Sequence, residues 1–390
     1  MAHNRVCHAR REQTEQRRRD QGLHPQKLPH THSVGHPRPD ESPCVTSPQR
    51  VAWVPRRFTV HPRVRWGILS PAKIGVGKVI PALQAARSAE VVALASRDEE
   101  RARSAADALH IPLAFGSYEA LLASPNVDAV YIPLPNHLHV AWSIHAIEAG
   151  KHVLVEKPIA RTAEEARPLL DAAAAHPGVK VMEAFMYRFH PQWQSARAWI
   201  DEGAIGDVRS IHSHFAYRNL DPQNVRNQVE TGGGGLLDIG CYDVSLSRYL
   251  YGREPERVVA TIDVDPTFGT DRLVSALLDF GNGATATFNC ATQLAPFQRA
   301  HAFGTEGTIT IEIPFNAPPA GTVRLHRSDG TDAVERGFKD VDQYVLQAEA
   351  FGDAILRDAP VPTPLEDALQ NMKVLDALRA SAERGSWVTP

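Results

Sequence analysis

Val64-Arg65-Trp66-Gly67-Ile68-Leu69 is a short apolar run, and small residues and a helical pattern follow it. Toward the C-terminus the same alternation repeats. Apolar runs recur at 91–95, 127–132, 152–155 and 179–182, and helical patterns occur at 98–109, at 136–149 and from the capping box Thr162-Ala163-Glu164-Glu165 onward. Short apolar strands that alternate with helices predict parallel βαβ units whose sheet is covered on both faces. We therefore predict a doubly wound α/β domain over residues 62–186, with its ligand at the carboxyl ends of the strands.

The turn after this first strand has the position, but not the glycines, of a dinucleotide-binding G-x-G-x-x-G fingerprint. It reads Ser70-Pro71-Ala72-Lys73-Ile74-Gly75, so that Ser70 and Ala72 replace the first two glycines. Small residues are needed there because backbone amides at a helix N-terminus approach the pyrophosphate closely. On this pattern alone an ordinary tight turn stays open. A Rossmann site would place these residues beside the cofactor phosphates: Ser70, Ala72, Lys73 and Ile74.

The end of the second predicted strand bears on the choice of cofactor. An NAD-selective site places Asp or Glu there to bind the ribose 2′-hydroxyl. This chain has Ser96 and Arg97, a hydroxyl and a guanidinium that suit the 2′-phosphate of NADP. Asp98 and Glu99 follow and are either helix caps or the ribose acid. We favour NADP over NAD.

Beyond about residue 186 the alternation stops, and a second domain is predicted over residues 187–390. Strands are expected at 208–216, 258–264, 273–280, 284–290, 308–313 and 322–326, and helices at 341–356 and 365–382. The turn Gly281-Asn282-Gly283 between two of these strands predicts a hairpin. Antiparallel strands with helices on one side predict an α+β domain with an open, largely antiparallel sheet.

Composition and charge exclude several classes of protein. The 390 residues are 43% hydrophobic and 22% charged, with a net charge of −3, as in a globular protein of two domains that binds no nucleic acid. No run approaches 18 apolar residues, so no membrane segment is expected. The four cysteines share no metal-ligand spacing, which predicts no metal site and free thiols in a reducing cytoplasm: Cys7, Cys44, Cys241 and Cys290.

The first 61 residues differ from the rest of the chain. Eleven basic and five acidic side chains give them a charge of +6, so the other 329 residues carry −9. They show no apolar periodicity, and we predict a disordered basic leader. We do not predict an export signal, because no apolar segment follows the arginine clusters. A transit peptide and non-specific contact with nucleic acid are weaker alternatives.

Three motifs together resemble a known enzyme family. The strand end Tyr131-Ile132-Pro133-Leu134-Pro135-Asn136-His137, the tripeptide Glu156-Lys157-Pro158 and the glycine-rich entry from Gly232 to Tyr242 are similar to the Gfo/Idh/MocA oxidoreductases. The resemblance runs from about Val64 to the C-terminus. Tyr242, with the segment 183–191, resembles the branch of dimeric dihydrodiol dehydrogenase and NADP-dependent D-xylose 1-dehydrogenase, in which a Ser-x-Ala phosphate turn is familiar.

The resemblance implies roles for individual residues. Lys157 would hydrogen-bond the reacting oxygen, Tyr242 would share the proton chemistry with it, and Asp238 would orient the site. A free tyrosine titrates near ~10, so we expect the Lys157 ammonium to favour the Tyr242 phenolate. Taken without the family, a lysine after a strand is ordinarily a solvated charge, a tyrosine opening a helix ordinarily packs, and Asp238 is a helix N-terminal acid.

Further cofactor and substrate contacts are implied less directly. Asn136 and His137 are expected at the nicotinamide ribose, and the remaining expected cofactor contacts are Pro133, Glu156 and Lys157. His137 and His139 face different directions on one helix and would not chelate a metal. Arg188 and His190 either reach the substrate or are surface charges before the next helix.

Together these observations predict a cytoplasmic NADP-dependent oxidoreductase that transfers a hydride to or from a sugar or cyclic polyol. Homodimers or larger homo-oligomers are expected only from the family. The alternative is an NAD(P)-binding sensor or scaffold without turnover, which would have no reason to retain Lys157, Asp238 and Tyr242 together.

Overall fold

The computed structural model of this chain describes residues 63–390. The predicted leader, residues 1–61, lies outside the described residues. Across residues 63–390 no helix combines the length and the apolar character that a membrane crossing requires.

The N-terminal sheet confirms the predicted doubly wound fold. Its strands pair in parallel in the order β3-β2-β1-β4-β5-β6. They are β1 (Val64–Leu69), β2 (Ala89–Ala95), β3 (Leu113–Phe115), β4 (Ala129–Ile132), β5 (His152–Val155) and β6 (Val181–Glu183). The connecting helices are α1 (Ile80–Ala85), α2 (Glu99–Ala108), α3 (Tyr118–Leu122), α4 (His139–Glu148) and α5 (Ala163–Ala175). The order reverses between β1 and β4, and such a reversal opens a crevice at the carboxyl ends of the strands.

Helix caps explain where two of these helices begin. Asp98 accepts a hydrogen bond from the Arg101 amide at 3.0 Å, so it is the N-cap of α2. Thr162 caps α5 by accepting from the Glu165 amide at 3.1 Å. The predicted capping box is wrong in its second half, because the Glu165 carboxylate accepts from the amide and guanidinium of Arg161 instead.

The second sheet confirms the predicted open, largely antiparallel architecture. Its order is β14-β13-β12-β11-β7-β10-β9-β8, in which β7 and β10 are parallel and the other neighbours antiparallel. The strands are β7 (Val208–Arg218), β8 (Arg257–Val264), β9 (Asp271–Asp279), β10 (Thr285–Ala291), β11 (Gln293–Gly304), β12 (Thr308–Ile311), β13 (Thr322–Ser328) and β14 (Ala333–Lys339). The helices are α6 (Pro191–Asp201), α7 (Cys241–Tyr251), α8 (Gln343–Leu356) and α9 (Leu365–Arg384).

Helix α8 packs on the N-terminal sheet although it lies within residues 187–390. Phe351 is fully buried in one core with Trp66 and Ile80, and the Phe351 and Trp66 ring centroids lie 5.8 Å apart. Arg87, before β2, pairs with Glu349 of this helix at 3.0 Å. The late part of the chain therefore completes the core of the first sheet, and the division at residue 187 stays a prediction.

Candidate active site

The predicted catalytic residues lie together at the carboxyl end of β5. Lys157 follows this strand, and its ammonium donates to the main-chain oxygen of Asp238 at 2.6 Å and to Asp238 Oδ1 at 3.2 Å. Asp238 lies in a π-helical turn, Leu236–Gly240, that leads directly into α7. Tyr242 is in the first turn of α7, and its ring centroid is 4.9 Å from Lys157 Nζ.

Two further residues hold the Asp238 carboxylate. Tyr217, near the end of β7, donates its hydroxyl to Asp238 Oδ2 at 2.5 Å, and Arg226 Nε lies 2.9 Å from the same oxygen. Although burial raises it, the pKa of Asp238 falls well below its usual range because Arg226 and Lys157 are close. The sequence did not indicate either partner, since Arg226 lies in an irregular loop and Tyr217 belongs to none of the motifs.

The environment of Tyr242 differs from the expectation. Its hydroxyl donates to the Met186 thioether at 3.4 Å, and its ring packs against Phe185 and Phe315. Burial raises the pKa of Tyr242 well above its ordinary value. The expected stabilisation of a phenolate by Lys157 is therefore wrong for this arrangement, because the ammonium faces the ring and desolvation favours the neutral phenol.

Glu156 binds the neighbouring strand at the same sheet edge. Its carboxylate accepts from the Tyr131 hydroxyl at 2.6 Å, and its amide donates to the Ile132 carbonyl at 3.1 Å. Burial raises the pKa of Glu156. Pro133 is buried directly after β4, where a Cβ placed on Gly75 would lie 3.6 Å from its ring. The phosphate turn and the Glu156–Lys157 turn therefore line neighbouring parts of one crevice.

The phosphate turn keeps the backbone of a glycine fingerprint without its glycines. Ser70 has a φ of +109°, a conformation that favours glycine, and its amide donates to the Ala95 carbonyl at 2.9 Å. Within the described residues no side chain caps the π-helical turn Gly75–Val79 that follows. The helix begins at Lys73, which is exposed, and Ala72 and Ile74 are half-buried, so the small side chains before the helix suit a phosphate group.

The end of β2 presents one buried hydroxyl and one exposed guanidinium. The Ser96 hydroxyl accepts from the Asp98 amide at 3.3 Å, and Arg97 is exposed. Among residues 63–390 no carboxylate forms a salt bridge with Arg97. Since Asp98 caps α2, Arg97 is the charged side chain available to a ligand beside Ser96.

Asn136 and His137 lie on the short 3₁₀ turn between β4 and α4. Asn136 Nδ2 donates to the Gly232 carbonyl at 2.8 Å, which ties this turn to the glycine-rich loop. His137 Nδ1 is buried and has no hydrogen-bond partner within the described part of the chain. His139 is different, because its ring nitrogens each lie 2.7 Å from a carbonyl, those of Pro158 and Leu134. Burial lowers the pKa of His139 to about 4 although both carbonyl contacts raise it, and these contacts make it a structural residue.

Arg188 and His190 do not contact Lys157 or Asp238. Arg188 pairs with Asp367 at 2.8 Å and donates to the Ser245 hydroxyl at 2.8 Å. His190 is fully buried, caps α6 by accepting from the Gln192 amide at 3.2 Å, and has its pKa lowered to about 4 by burial. The alternative that they are surface charges is wrong, and their contact with a substrate stays a prediction.

Two family models match most of the described chain. Residues 67–185 match an oxidoreductase family with an NAD-binding Rossmann fold, and residues 193–310 match the GFO/IDH/MocA C-terminal domain. The chain belongs to the Gfo/Idh/MocA family. The resemblance inferred from its motifs is thereby confirmed.

Curated relatives align with this Gfo/Idh/MocA chain over three quarters or more of their own length. An uncharacterized oxidoreductase of Rhizobium meliloti, ORF334, is 47% identical over 84% of this chain and 99% of its own. D-xylose 1-dehydrogenase (NADP(+)) 2 of Haloferax volcanii is 40% identical over 83% and 98%. Trans-1,2-dihydrobenzene-1,2-diol dehydrogenase of Xenopus tropicalis is 35% identical over 65% and 77%. These relatives confirm the resemblance to the xylose and dihydrodiol dehydrogenase branch.

A solved Gfo/Idh/MocA structure shares the whole described fold. KijD10, a 3-ketoreductase from Actinomadura kijaniata in complex with NADP and TDP-benzene, superimposes with a TM-score of 0.78 at 31% identity. The match covers 82% of this chain and 98% of that protein. The family and the fold thus agree with an oxidoreductase.

Proposed function

We propose that this protein is an NADP-dependent oxidoreductase that interconverts a CH–OH group and a carbonyl on a sugar or cyclic polyol. The observation that carries the proposal is the Lys157 ammonium, held on Asp238 with its Nζ 4.9 Å from the centroid of the Tyr242 ring. This group lies at the carboxyl ends of parallel strands, where ligands bind in doubly wound sheets.

Residues along the crevice would hold the cofactor. The backbone at Ser70, Ala72, Lys73 and Ile74 would face the phosphates, and Ser96 with Arg97 would bind the 2′-phosphate. The nicotinamide end would contact Pro133, Asn136, His137, Glu156 and Lys157. The unpartnered Nδ1 of His137 supports this placement. So do the NADP named for the Haloferax volcanii relative and the NADP bound to KijD10.

The proton chemistry belongs to side chains of this protein. When bound, the nicotinamide supplies a centre that takes a hydride from the carbinol carbon in oxidation and returns it in reduction. In reduction the substrate oxygen gains one proton, and in oxidation the hydroxyl loses one. Burial raises the pKa of Tyr242. Burial lowers that of Lys157, but the Asp238 carboxylate helps to raise it above its ordinary value. In reduction both groups would supply the proton that the substrate oxygen gains. In oxidation the Lys157 amine, in its deprotonated form, would take the proton that the hydroxyl loses.

The substrate class rests on the relatives. One relative is a D-xylose dehydrogenase and another oxidises a cyclic dihydrodiol, so both names describe carbinol carbons on polyhydroxylated or cyclic molecules. We expect pentoses, hexoses and dihydrodiols to include a substrate. Absorbance of the reduced nicotinamide, followed with NADP and with NAD separately, tests this. Absence of turnover with any of them, in either direction, would overturn the proposal.

Replacement of Tyr242 by Phe should lower kcat by about 10²–10⁴-fold, because a positioned acid or base contributes about that much. Cofactor affinity should stay unchanged, since the ring is retained. Tyr251→Phe is the matched control, because this residue ends the same helix and its hydroxyl donates to the Thr285 carbonyl instead. Full activity of Tyr242→Phe would contradict the assigned role.

Replacement of Arg97 by Ala should weaken NADP binding at least tenfold and leave NAD binding nearly unchanged, because only NADP carries the 2′-phosphate. Fluorescence titration with each reduced cofactor measures both affinities. Arg101→Ala, one helical turn further on in α2, controls for general loss of positive charge. Equal weakening of both cofactors would argue against a 2′-phosphate site.

Location and assembly are parts of the same proposal. We propose a cytoplasmic homo-oligomer, supported by the two free and buried cysteines of the described chain, Cys241 and Cys290, and by the family. If the cofactor binds tightly and no substrate of the panel reacts, the protein is instead an NAD(P)-binding sensor or scaffold without turnover.

A further inference from the structure

We infer that Arg226 is a positioning residue that sets how readily Lys157 releases its proton, because the two cations share the single carboxylate of Asp238. The inference rests on the proposed function, in which Lys157 exchanges a proton with the substrate oxygen. Nothing in the sequence motifs pointed to this arginine.

The geometry is that of one anion between two cations. Asp238 Oδ1 accepts from Lys157 at 3.2 Å, while Asp238 Oδ2 lies 2.9 Å from Arg226 Nε and accepts from Tyr217 at 2.5 Å. Only 12% of the Asp238 side chain is exposed, against 43% of Arg226. A single buried negative charge cannot fully compensate two positive ones. The ammonium of Lys157 is therefore stabilised less than it would be by Asp238 alone.

The other groups around Lys157 do not replace this effect. Burial lowers the pKa of Lys157, Asp238 and other neighbours raise it, and the Arg226 guanidinium opposes them. The titratable and charged groups near the Lys157 ammonium are Glu156, Asp238, Cys241, Tyr242, His139 and Arg226. The Glu156 carboxylate favours the Lys157 ammonium, but burial raises the pKa of Glu156 and its hydrogen bond to Tyr131 holds it on the neighbouring strand. Burial lowers the pKa of His139 to about 4. Arg226 is thus the permanent positive charge that competes with Lys157 for Asp238.

Backbone hydrogen bonds and the conformation of Gly234 fix the position of the Arg226 main chain. It lies in the 3₁₀ turn Val225–Asn227, and its carbonyl accepts from the Gly234 amide at 2.9 Å. Gly234 has a φ of +112°, and a Cβ there would collide with the carboxylate of Asp271. The same loop is tied through the Gly232 carbonyl to Asn136. The loop is therefore fastened at Arg226 itself and at Gly232 after it, which holds the guanidinium at Asp238.

The first test is the pH dependence of kcat/KM, measured in oxidation and in reduction. In Arg226→Gln the Lys157 amine should hold its proton more tightly, so the ascending limb of oxidation and the descending limb of reduction should both move to higher pH. We expect a shift of about one unit, the lower end of what a nearby like charge produces. Arg226→Lys retains the charge and should restore the wild-type limbs. A merely structural role would lower the rate and leave both limbs in place.

A matched control comes from the opposite end of β7. Arg209 pairs with Asp207 at 2.9 Å, and 50% of its side chain is exposed. Tyr217 lies eight residues further along this extended strand, roughly 26 Å away at ~3.3 Å per residue. Arg209→Gln should leave both limbs unchanged. A shift in this variant as large as in Arg226→Gln would overturn the inference, because loss of any surface arginine would then suffice.

The second test needs no turnover and separates failure of this inference from failure of the proposed function. Competitive acylation of the full chain with acetic anhydride at pH 9, read by mass spectrometry at Lys157, reports the fraction of free amine. A shift of one unit predicts about tenfold slower labelling in Arg226→Gln. Arg226→Ala is the second neutral variant, and thermal unfolding checks that each variant folds. Equal labelling of Lys157 in wild type and the neutral variants would overturn the inference, whether or not a substrate is found.

Discussion

At the scale of single residues, we predict that Glu183 makes the free energy of unfolding depend on pH. This residue ends β6, is 4% exposed, and accepts a hydrogen bond from the Ile159 amide at 2.6 Å. Burial, together with the charge of Asp367, raises the pKa of its carboxyl to about 8. The native state therefore keeps this proton up to pH about 8, whereas an unfolded glutamate keeps it only below about 4.3.

The consequence is a free energy of unfolding that falls as pH rises between these two values and levels off above about 8, because the native state binds the extra proton only within this window. Between pH 6 and pH 8 the wild type should lose about 2 kcal/mol more than Glu183→Gln, at ~1.4 kcal/mol per unit. Urea unfolding at both pH values measures this difference. Glu202→Gln, at an exposed position after α6, should behave as wild type. Parallel pH dependence in wild type and Glu183→Gln would contradict the prediction.

The motifs indicated the centre of the site but not its supports. Lys157, Asp238 and Tyr242 could be found because they stand in short patterns that keep their spacing. Arg226 reaches Asp238 through the path of a loop, and Tyr217 reaches it from the end of β7. Both placements are set by tertiary contacts, which leave no periodic signal. The phosphate turn shows the same limit, since serine at position 70 gives no sign that its φ is +109°.

At the scale of elements, most strands with an apolar face were predictable, whereas the three-residue β3 and the strands with exposed faces were not. β1 and β5 match the expected runs to the residue, at 64–69 and 152–155. β14 was missed because it is the last strand of its sheet and its side chains are exposed except for Phe338. β11 was missed because it contains Pro296 and a row of exposed residues. Such strands are specified by pairing with neighbours, which a local pattern does not record.

Helix α8 should be essential to the stability of the N-terminal sheet. Phe351→Ala removes a fully buried ring that packs on Trp66, and such truncations cost about 3–5 kcal/mol. Urea unfolding measures this loss of stability. NADP affinity should also weaken under conditions in which the destabilised sheet is partly unfolded. Leu356 is the exposed last residue of the same helix, so Leu356→Ala should lower the free energy of unfolding by less than about 1 kcal/mol. A loss below 1 kcal/mol in Phe351→Ala would show that α8 is dispensable.

At the scale of the whole molecule, the basic leader and the acidic body should be separable in function. Residues 1–61 carry +6 and the remainder −9, and the family models match only within the remainder. Deletion of residues 1–61 should leave kcat/KM unchanged and abolish any salt-dependent retention on heparin, since that retention scales with the number of cationic contacts. Turnover assays and salt-gradient chromatography of both forms test this. A large loss of kcat/KM would give the leader a part in catalysis.

The return of α8 to the first sheet also sets an order of events during synthesis. The strands of that sheet are all translated once residue 183 has been added, but Phe351 follows about 170 residues later. At roughly 5–20 residues per second the ribosome needs about 10 to 30 s for this interval. Throughout it the surface around Trp66 and Ile80 lacks its cover, so the nascent chain presents an apolar patch on which a chaperone can act before the polypeptide is released.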